Sequence, residues 1–357
     1  MAQAAHKEER LFLANQWYAA AWSEEVIADT PLARTIASEP LVMWRTPEGG
    51  IHALAERCPH RFAPLSMGKF EGDRAQCPYH GLAFDGRTGV CVSNPHGPIT
   101  SSLAIRAYPI IERHKMLWAW LGEPEMASPD LIPDLSFIDE AAEHALGKGY
   151  MHTAADHRLL EDNIMDLSHA DYLHPHTLGG GSITRTRAEV EERGNIVLAR
   201  WLVSGEPALP IFRPEMPSPD MKTDMWTEVL WYPSGVMILR AGATPMGHLQ
   251  TEGVNTWNAH IMTPETVRST HYFYANSRNF KTEDAEYNAL FANALRAAFE
   301  TEDKPIIEAQ QRMIGDADIL DLGPALLGVD NGSTRARRIY SRLLAEERAL
   351  PAHSNSI

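Results

Sequence analysis

Cysteine is scarce in this chain, with only Cys58, Cys77 and Cys91 in 357 residues. So few exclude a disulfide scaffold, and a reducing, cytoplasmic setting is expected. Long apolar runs are absent as well; none approaches the ~18 consecutive apolar residues that cross a bilayer, so no membrane partner is expected. The opening residues, MAQAAHKEERLFLANQW, are charged and lack the continuous apolar stretch of a signal peptide. Positive charge is in deficit: 32 Lys and Arg face 47 Asp and Glu, for a net charge of −15. That balance excludes the electrostatic footprint of a nucleic-acid binder. Phosphate cradles are missing too, since Gly179, Gly180 and Gly181 stand in neither a Walker nor a Rossmann context and are expected to form a flexible loop. What remains, 44 % hydrophobic and 22 % charged, is the composition of a globular chain of about two domains.

The stretch that organises the rest runs from Cys58 to His80, CPHRFAPLSMGKFEGDRAQCPYH. It reads Cys-x-His, sixteen residues, then Cys-x-x-His, presenting two thiolates and two imidazoles from two short loops. That donor set suits a Rieske [2Fe–2S] cluster, with Cys58 and Cys77 on one iron and His60 and His80 on the other. Tetrahedral zinc accepts the same four donors. Zinc fingers, however, pair Cys with Cys and His with His, whereas each loop here carries one of each. Pro59 and Pro78 after the cysteines and Gly81 after the second histidine add to the case for the cluster. Imidazoles in place of two thiolates raise a cluster's potential and suit it to passing single electrons onward. An acceptor is therefore expected elsewhere in the chain.

From residue 41 to about 121, short β-like runs alternate with Gly, Pro and Asn turns, predicting a small all-β domain with the cluster loops at its tip. His52, His96 and His114 lack ligand spacing and are expected on the surface or in packing, as are Trp17 and Tyr18. The proline-rich, acidic stretch 122–136 predicts a linker, with a domain boundary between 125 and 145.

The acceptor candidate lies in LEDNIMDLSHADYLHPH, residues 160–176, whose apolar spacing predicts a helix up to Pro175. Asp166, His169 and His174 stand out. Histidines five apart diverge by about 140° on a regular helix, so they converge only if it widens in π fashion or ends before Pro175. Two histidines and a carboxylate form the triad of non-haem Fe(II) oxygenases, which leaves positions open for O2 and substrate. Asp166 is the local carboxylate, either as ligand or as acceptor for an imidazole proton. Glu300, Glu302, Asp303 and Glu308, in a helical stretch over 283–314, are the distant ones, and pattern does not choose among them. Strand-like segments fill 180–280, and a metal helix laid on such a sheet would enclose a deep, mostly apolar pocket. His260 and His271 are its candidate polar contacts. The C-terminal VDNGSTRARRIYSRLLAEERA predicts a basic, capped helix ending in a frayed tail.

Together the motifs NQWYAAAW, CPHRFAPLS, CPYHGLAFDG, DNIMDLSHADYLH, HIMTPET, SRNF, EDKPIIEAQQ and VDNGSTRARR resemble the oxygenase components of Rieske non-haem iron oxygenases. The likeness covers nearly the whole chain and is to the branch of vanillate and dicamba O-demethylases. It implies an α+β fold: a segment, 1–40, packed on the catalytic domain, a small all-β Rieske domain over 41–125, and a catalytic domain over 140–357. That last domain is expected to be a curved antiparallel sheet covered by helices, of helix-grip type. The resemblance makes His169, His174 and Asp303 the ligands of a mononuclear Fe(II). It places Asn163 close to that iron, and makes Asp166 the bridge from a ligand histidine to a Rieske histidine of a neighbouring subunit. It further implies a head-to-tail homotrimer, fed from NAD(P)H by a reductase with or without a ferredoxin. The expected reaction is oxidative O-demethylation of a methoxylated aromatic acid, using O2 and releasing formaldehyde. Ring hydroxylation and N-dealkylation use the same two centres, and a non-catalytic electron carrier would need far less chain.

Overall fold

A computed structural model describes residues 11–28, 30–174 and 185–349. The expected loop at Gly179–Gly181 and the tail beyond residue 349 lie outside the described residues. The chain divides into two compact units, one of Met1–Ile132 with Tyr340–Ile357 and one of Pro133–Ile339.

Among the described residues the first unit holds ten short strands: β1 (Trp17–Trp22), β2 (Leu32–Ile36), β3 (Glu39–Arg45), β4 (Ile51–Ala55), β5 (Lys69–Glu71), β6 (Arg74–Gln76), β7 (Ala83–Asp85), β8 (Cys91–Ser93), β9 (Ile110–Arg113) and β10 (Met116–Trp120). They pair as three antiparallel sheets in the orders β1-β10-β9, β2-β3-β4 and β5-β6-β7-β8. Strands β1 and β2 thus bond to strands of their own unit. The deciding strand partners lie up to a hundred residues away and cannot be seen in the segment itself. Trp44, Leu54, Leu65, Phe84 and Cys91 form a closed apolar core that also takes in Cys58 and Cys77. The Trp44 indole N–H is satisfied by the Gly72 carbonyl at 2.9 Å.

The second unit is a seven-stranded antiparallel sheet with helices against it. Its strands are β11 (Gly147–Thr153), β12 (Glu189–Arg193), β13 (Ile196–Pro207), β14 (Lys222–Tyr232), β15 (Val236–Pro245), β16 (Val254–Thr266) and β17 (Ser269–Arg278), in the order β11-β17-β16-β15-β14-β13-β12. Strand alternation puts Thr256, Asn258 and His260 on one face of β16. Register sets Ala241 opposite both Thr227 and Thr256, and Leu239 opposite Asn258. The β14–β15 turn needs glycine at 235: φ is 76°, and a β-carbon there would lie 2.3 Å from the Met262 carbonyl oxygen.

Among the described residues the α-helices are α1 (Ser136–Glu140), α2 (His157–Met165), α3 (Ala170–Leu173), α4 (Ala285–Ala297), α5 (Lys304–Ile314) and α6 (Asn331–Ala349). Asp156 caps α2 by accepting the Arg158 N–H at 2.8 Å. A bidentate pair between buried Arg337 of α6 and Asp162, at 2.6–3.0 Å, fixes α2 on its outer side. On its inner side the Trp231 indole N–H donates to Glu161 Oε2 at 2.8 Å, while buried Oε1, 3.8 Å from His157 Nε2, has no hydrogen-bond partner among the described residues. Burial pushes the Glu161 carboxyl up to about 8 and the neighbouring His157 imidazole down to about 4, so both groups are neutral at pH 7.

A pH-dependent stability follows. The Glu161 carboxyl keeps its proton in the folded state up to about pH 8, whereas the unfolded chain releases it near 4.5. Between those values this group makes stability fall as pH rises. Glu161→Gln keeps an acceptor for Trp231 and removes the titration. Its melting temperature should match the parent near pH 5 and exceed it by roughly 2–5 °C at pH 8.5, about 1–2 kcal/mol. A gain equal at both pH values would refute the assignment.

Candidate metal centres

The two cysteine loops of the first unit are built on one plan. In the first, the Cys58 N–H donates to the Ala63 carbonyl at 3.0 Å and the Phe62 N–H returns to the Cys58 carbonyl at 2.9 Å. In the second, the Cys77 N–H donates to Leu82 at 2.8 Å and the Gly81 N–H returns to Cys77 at 3.2 Å. Phe62 and Gly81, each four residues after its cysteine, both take left-handed backbone, at φ 59° and 73°. Glycine suits that conformation; phenylalanine does not, so Phe62 is held there by the loop's hydrogen bonds. Both cysteines belong to the apolar core, and the His60 and His80 rings meet edge to face with Nδ1 atoms 3.2 Å apart. Burial pushes the Cys58 thiol up to about 11, so a metal taking this site displaces protons. His96, expected only in surface or packing positions, bonds through Nε2 to the His80 carbonyl at 3.0 Å. His52 is buried against Asp73 at 2.8 Å, and His114 is buried as well.

In the second unit, His169, His174 and Asp303 present ligand atoms that all lie within 4.8 Å of one another. The sequence predicted one helix carrying both histidines; the structure breaks it at Asp166, whose φ of −118° and ψ of 93° are extended. The Asp166 side chain accepts the Ser168 N–H at 2.9 Å and starts a new turn, as short acids do when they compete with helical backbone. The turn Leu167–His169 leads into α3, and His174 follows it as C-cap immediately before Pro175. The π-type widening anticipated near the histidines lies instead between α4 and α5, at Ala298–Asp303. There it lets two consecutive acids grip one imidazole: Glu302 meets His174 Nδ1 at 2.6 Å and Asp303 meets Nε2 at 3.0 Å.

Both histidines are thereby aimed. His169 Nδ1 bonds to the Asp166 backbone oxygen, leaving Nε2 facing Asp303 at 3.6 Å. The Asp166 main chain therefore orients this imidazole. Asn163 Nδ2–H donates to Asp303 Oδ1 at 3.1 Å and lies 3.4 Å from His169 Nε2. Two imidazoles and a carboxylate, each fixed from behind, could hold one transition metal ion with positions left open. Of the other candidate acids, Glu308 accepts the Ala154 N–H at 3.0 Å and Glu300 is exposed. Glu302, considered from sequence only as a possible ligand, is the imidazole's second-nitrogen partner; two adjacent acids give no sign of this until the backbone widens.

Beside the triad lies a mostly apolar cavity of about 130 Å³, walled by Leu239, Ala241, Phe291, Leu295 and Phe299, with His260 on its floor. The His260 Nδ1 is bonded to the Tyr272 hydroxyl at 2.5 Å. His271, the other pocket candidate, does not line it and is bonded to Tyr150 at 3.0 Å. On the other side, Asp166 and His169 open onto a groove of about 520 Å³.

Comparison with known proteins places this arrangement. Residues 16–109 match the Rieske [2Fe-2S] domain, and residues 153–346 match the vanillate O-demethylase oxygenase C-terminal domain. The oxygenase component of chloroacetanilide N-alkylformylase from Rhizorhabdus wittichii is 36 % identical, with 95 % of this chain and 97 % of that one covered. That of dicamba O-demethylase from Stenotrophomonas maltophilia is 36 % identical, over 93 % and 98 %. The crystal structure of dicamba monooxygenase bound to dicamba superposes with a TM-score of 0.85 at 35 % identity, covering 95 % of this chain and 99 % of that one. A cysteine–histidine iron–sulfur domain joined to a two-histidine, one-carboxylate domain defines an iron-dependent oxygenase that receives its electrons through a Rieske cluster. This chain belongs to the Rieske non-haem iron oxygenases, as an oxygenase component of the vanillate and dicamba O-demethylase branch. Its cofactors are a Rieske [2Fe–2S] cluster and a mononuclear iron. Among the described residues no helix is long and apolar enough to cross a membrane.

Proposed function

We propose that this chain is the terminal oxygenase of a multicomponent system that oxidatively removes an alkyl group from a small aromatic compound, O-demethylation being the leading reaction. The convergence of His169, His174 and Asp303 beside an apolar cavity carries this reading. Methoxylated aromatic acids are the expected substrates by resemblance, and the named activities of the relatives extend the range to N-alkyl anilides. In this reading Cys58, Cys77, His60 and His80 hold the cluster, and His169, His174 and Asp303 hold Fe(II). The donor chemistry fits: two buried cysteines with two imidazoles in mutual contact, and a second pair of imidazoles whose far nitrogens are already occupied. The cluster supplies electrons singly, and ferrous iron supplies a site where O2 reacts.

The chain's own residues then have defined tasks. Glu302 and the Asp166 carbonyl hold the imidazoles with Nε2 inward; Asn163 steadies the Asp303 carboxylate; the apolar walls exclude water and press the substrate's alkyl carbon toward the triad. One oxygen atom enters a C–H bond of the methyl group, and two electrons and two protons carry the other to water. The resulting hemiacetal divides into formaldehyde and a phenol.

A reductase, alone or with a ferredoxin, is the proposed electron donor, and the low cysteine count supports a cytoplasmic setting. The groove beside Asp166 and His169 has exposed Tyr172, Leu326 and Leu327 on its walls, which supports a homotrimer in which a neighbour's cluster domain covers it. Light scattering should give the mass of three chains.

Supplied with NADH, a reductase–ferredoxin pair, O2 and a panel of aryl methyl ethers and N-alkyl anilides, the protein is expected to release an aldehyde with an equal amount of phenol or dealkylated anilide. Diols as the sole product would replace this reading with ring hydroxylation. Glu302→Gln should weaken mononuclear iron binding by about 10–100-fold, read by chelator competition, with the cluster spectrum unchanged. Unaltered iron affinity would show that Glu302 does not position His174.

A further inference from the structure

Reducing O2 takes up protons, yet the cavity beside the triad has mostly apolar walls that keep water out. A proton donor is therefore needed close to the triad by another way. Behind Asp303 lies a second, much smaller chamber of about 10 Å³, which shares Ile164, Phe299 and Asp303 with the cavity. That is about the smallest space that accepts one water molecule.

Thr153 is the informative residue of this chamber. Strand alternation turns Met151 and Thr153 to one face of β11, and register sets Met151 opposite Tyr272 and Thr153 opposite Thr270. The Thr270 hydroxyl donates to the Ala155 carbonyl at 2.7 Å. Thr153 is only 1 % exposed, and its hydroxyl has no hydrogen-bond partner among the described residues. Buried hydroxyls find a partner, and ordered water supplies one where protein does not. Three further polar groups line the same space. Asn163 Nδ2 donates to Asp303 Oδ1 at 3.1 Å, the Tyr272 hydroxyl lies 2.5 Å from His260 Nδ1, and the Asp303 carboxylate itself is the third. A buried water needs about two to four such partners.

The chamber also leads outward. Lys304 forms part of its wall and lies 3.8 Å from Glu308, whose Oε1 accepts the Ala154 N–H at 3.0 Å; both side chains are partly exposed. Thr153 therefore stands next in the chain to a residue bonded to a solvated ion pair, and shares its chamber with Asp303.

We propose that this chamber binds one water molecule, held by the Thr153 hydroxyl, and that the two pass protons from solvent to the metal side of Asp303 while O2 is reduced. The water gives a proton toward the oxygen being reduced and takes the Thr153 hydroxyl proton in its place; solvent then returns a proton to Thr153. One proton moves inward per passage, and neither group keeps a changed charge. The electrons remain those of the cluster and the iron. Thr153 is a positioning residue, acting through the water. The inference goes beyond the dealkylase reading, since O2 takes up two protons whether it ends as water with an oxygenated product or as hydrogen peroxide.

A high-resolution crystal structure of the native protein is expected to show one ordered water at about 3 Å from Thr153 Oγ1, and Thr153→Val is expected to lose it. A native chamber without water would overturn the proposal, with no appeal to how any variant folds. The second readout mixes chemically reduced, iron-loaded protein with O2 in H2O or D2O, with anisole present. Thr153→Val should slow reoxidation of the cluster by about tenfold or more and enlarge the solvent isotope effect at unchanged iron content, and Thr153→Ser should restore both. A valine variant with the parent rate and isotope effect would overturn the relay, as would a serine variant no better than valine. The expected isotope effects accompanied by peroxide instead of formaldehyde would uphold the relay while overturning the dealkylase reading.

Discussion

Asp303→Ala is expected to lose the mononuclear iron, to keep the cluster, and to fall in turnover by at least about a thousandfold. The carboxylate is the point where the second centre closes. Its Oδ1 lies 3.0 Å from His174 Nε2, 3.6 Å from His169 Nε2 and 3.1 Å from Asn163 Nδ2. Alanine leaves two imidazoles with no anion between them and strands the Asn163 amide. Two neutral ligands bind a divalent ion far more weakly than three with a carboxylate among them. Because the cluster loops belong to the other compact unit, their visible absorbance should be unaffected. Iron analysis against cluster absorbance makes the distinction: a loss of one iron per chain with an unchanged spectrum is the expected result. Full iron content with normal turnover would mean that another acid closes the triad.

Asp166→Asn is expected to retain both metals yet slow turnover by about a hundredfold or more. The geometry separates its two parts. The backbone carbonyl that orients His169 survives any side-chain change, and asparagine still accepts the Ser168 N–H that starts the turn. Only the negative charge beside the groove is removed. If that charge connects the iron's imidazole to a cluster histidine across a subunit boundary, rapid mixing will show a slow reoxidation of the reduced cluster with substrate and O2 present, while iron content and melting temperature stay at parent values. Reoxidation at the parent rate would end the bridging proposal and leave Asp166 as a helix breaker alone.

Legibility in the sequence followed how local each feature is. The cluster loops were readable because every requirement sits within a few residues: the ligands, the proline after each cysteine, and the left-handed position four residues on, filled by Gly81 in one loop and Phe62 in the other. The two histidines of the proposed iron site stood out as residues but not as geometry, since the helix break depends on whether Asp166 caps or continues, and an acid in mid-helix is compatible with both. Asp303 stands 129 residues from His174, among four acids of similar surroundings. Resemblance, not pattern, singled it out, because the π turn that brings it and Glu302 to one imidazole is a tertiary effect. The partners of β1 and β2 were hidden for a related reason: a strand's sequence shows that it will pair, not with what.

The measurement that tests the account most directly is a single turnover. The iron-replete protein is reduced chemically, freed of reductant, and mixed with O2 and an aryl methyl ether that it binds. One electron from the cluster and one from Fe(II) suffice for one cycle, so up to one formaldehyde and one phenol per chain are expected, with the cluster returned to its oxidised spectrum. A reoxidised cluster with no product from any bound ether or anilide would contradict the claim that these two centres form a dealkylating oxygenase.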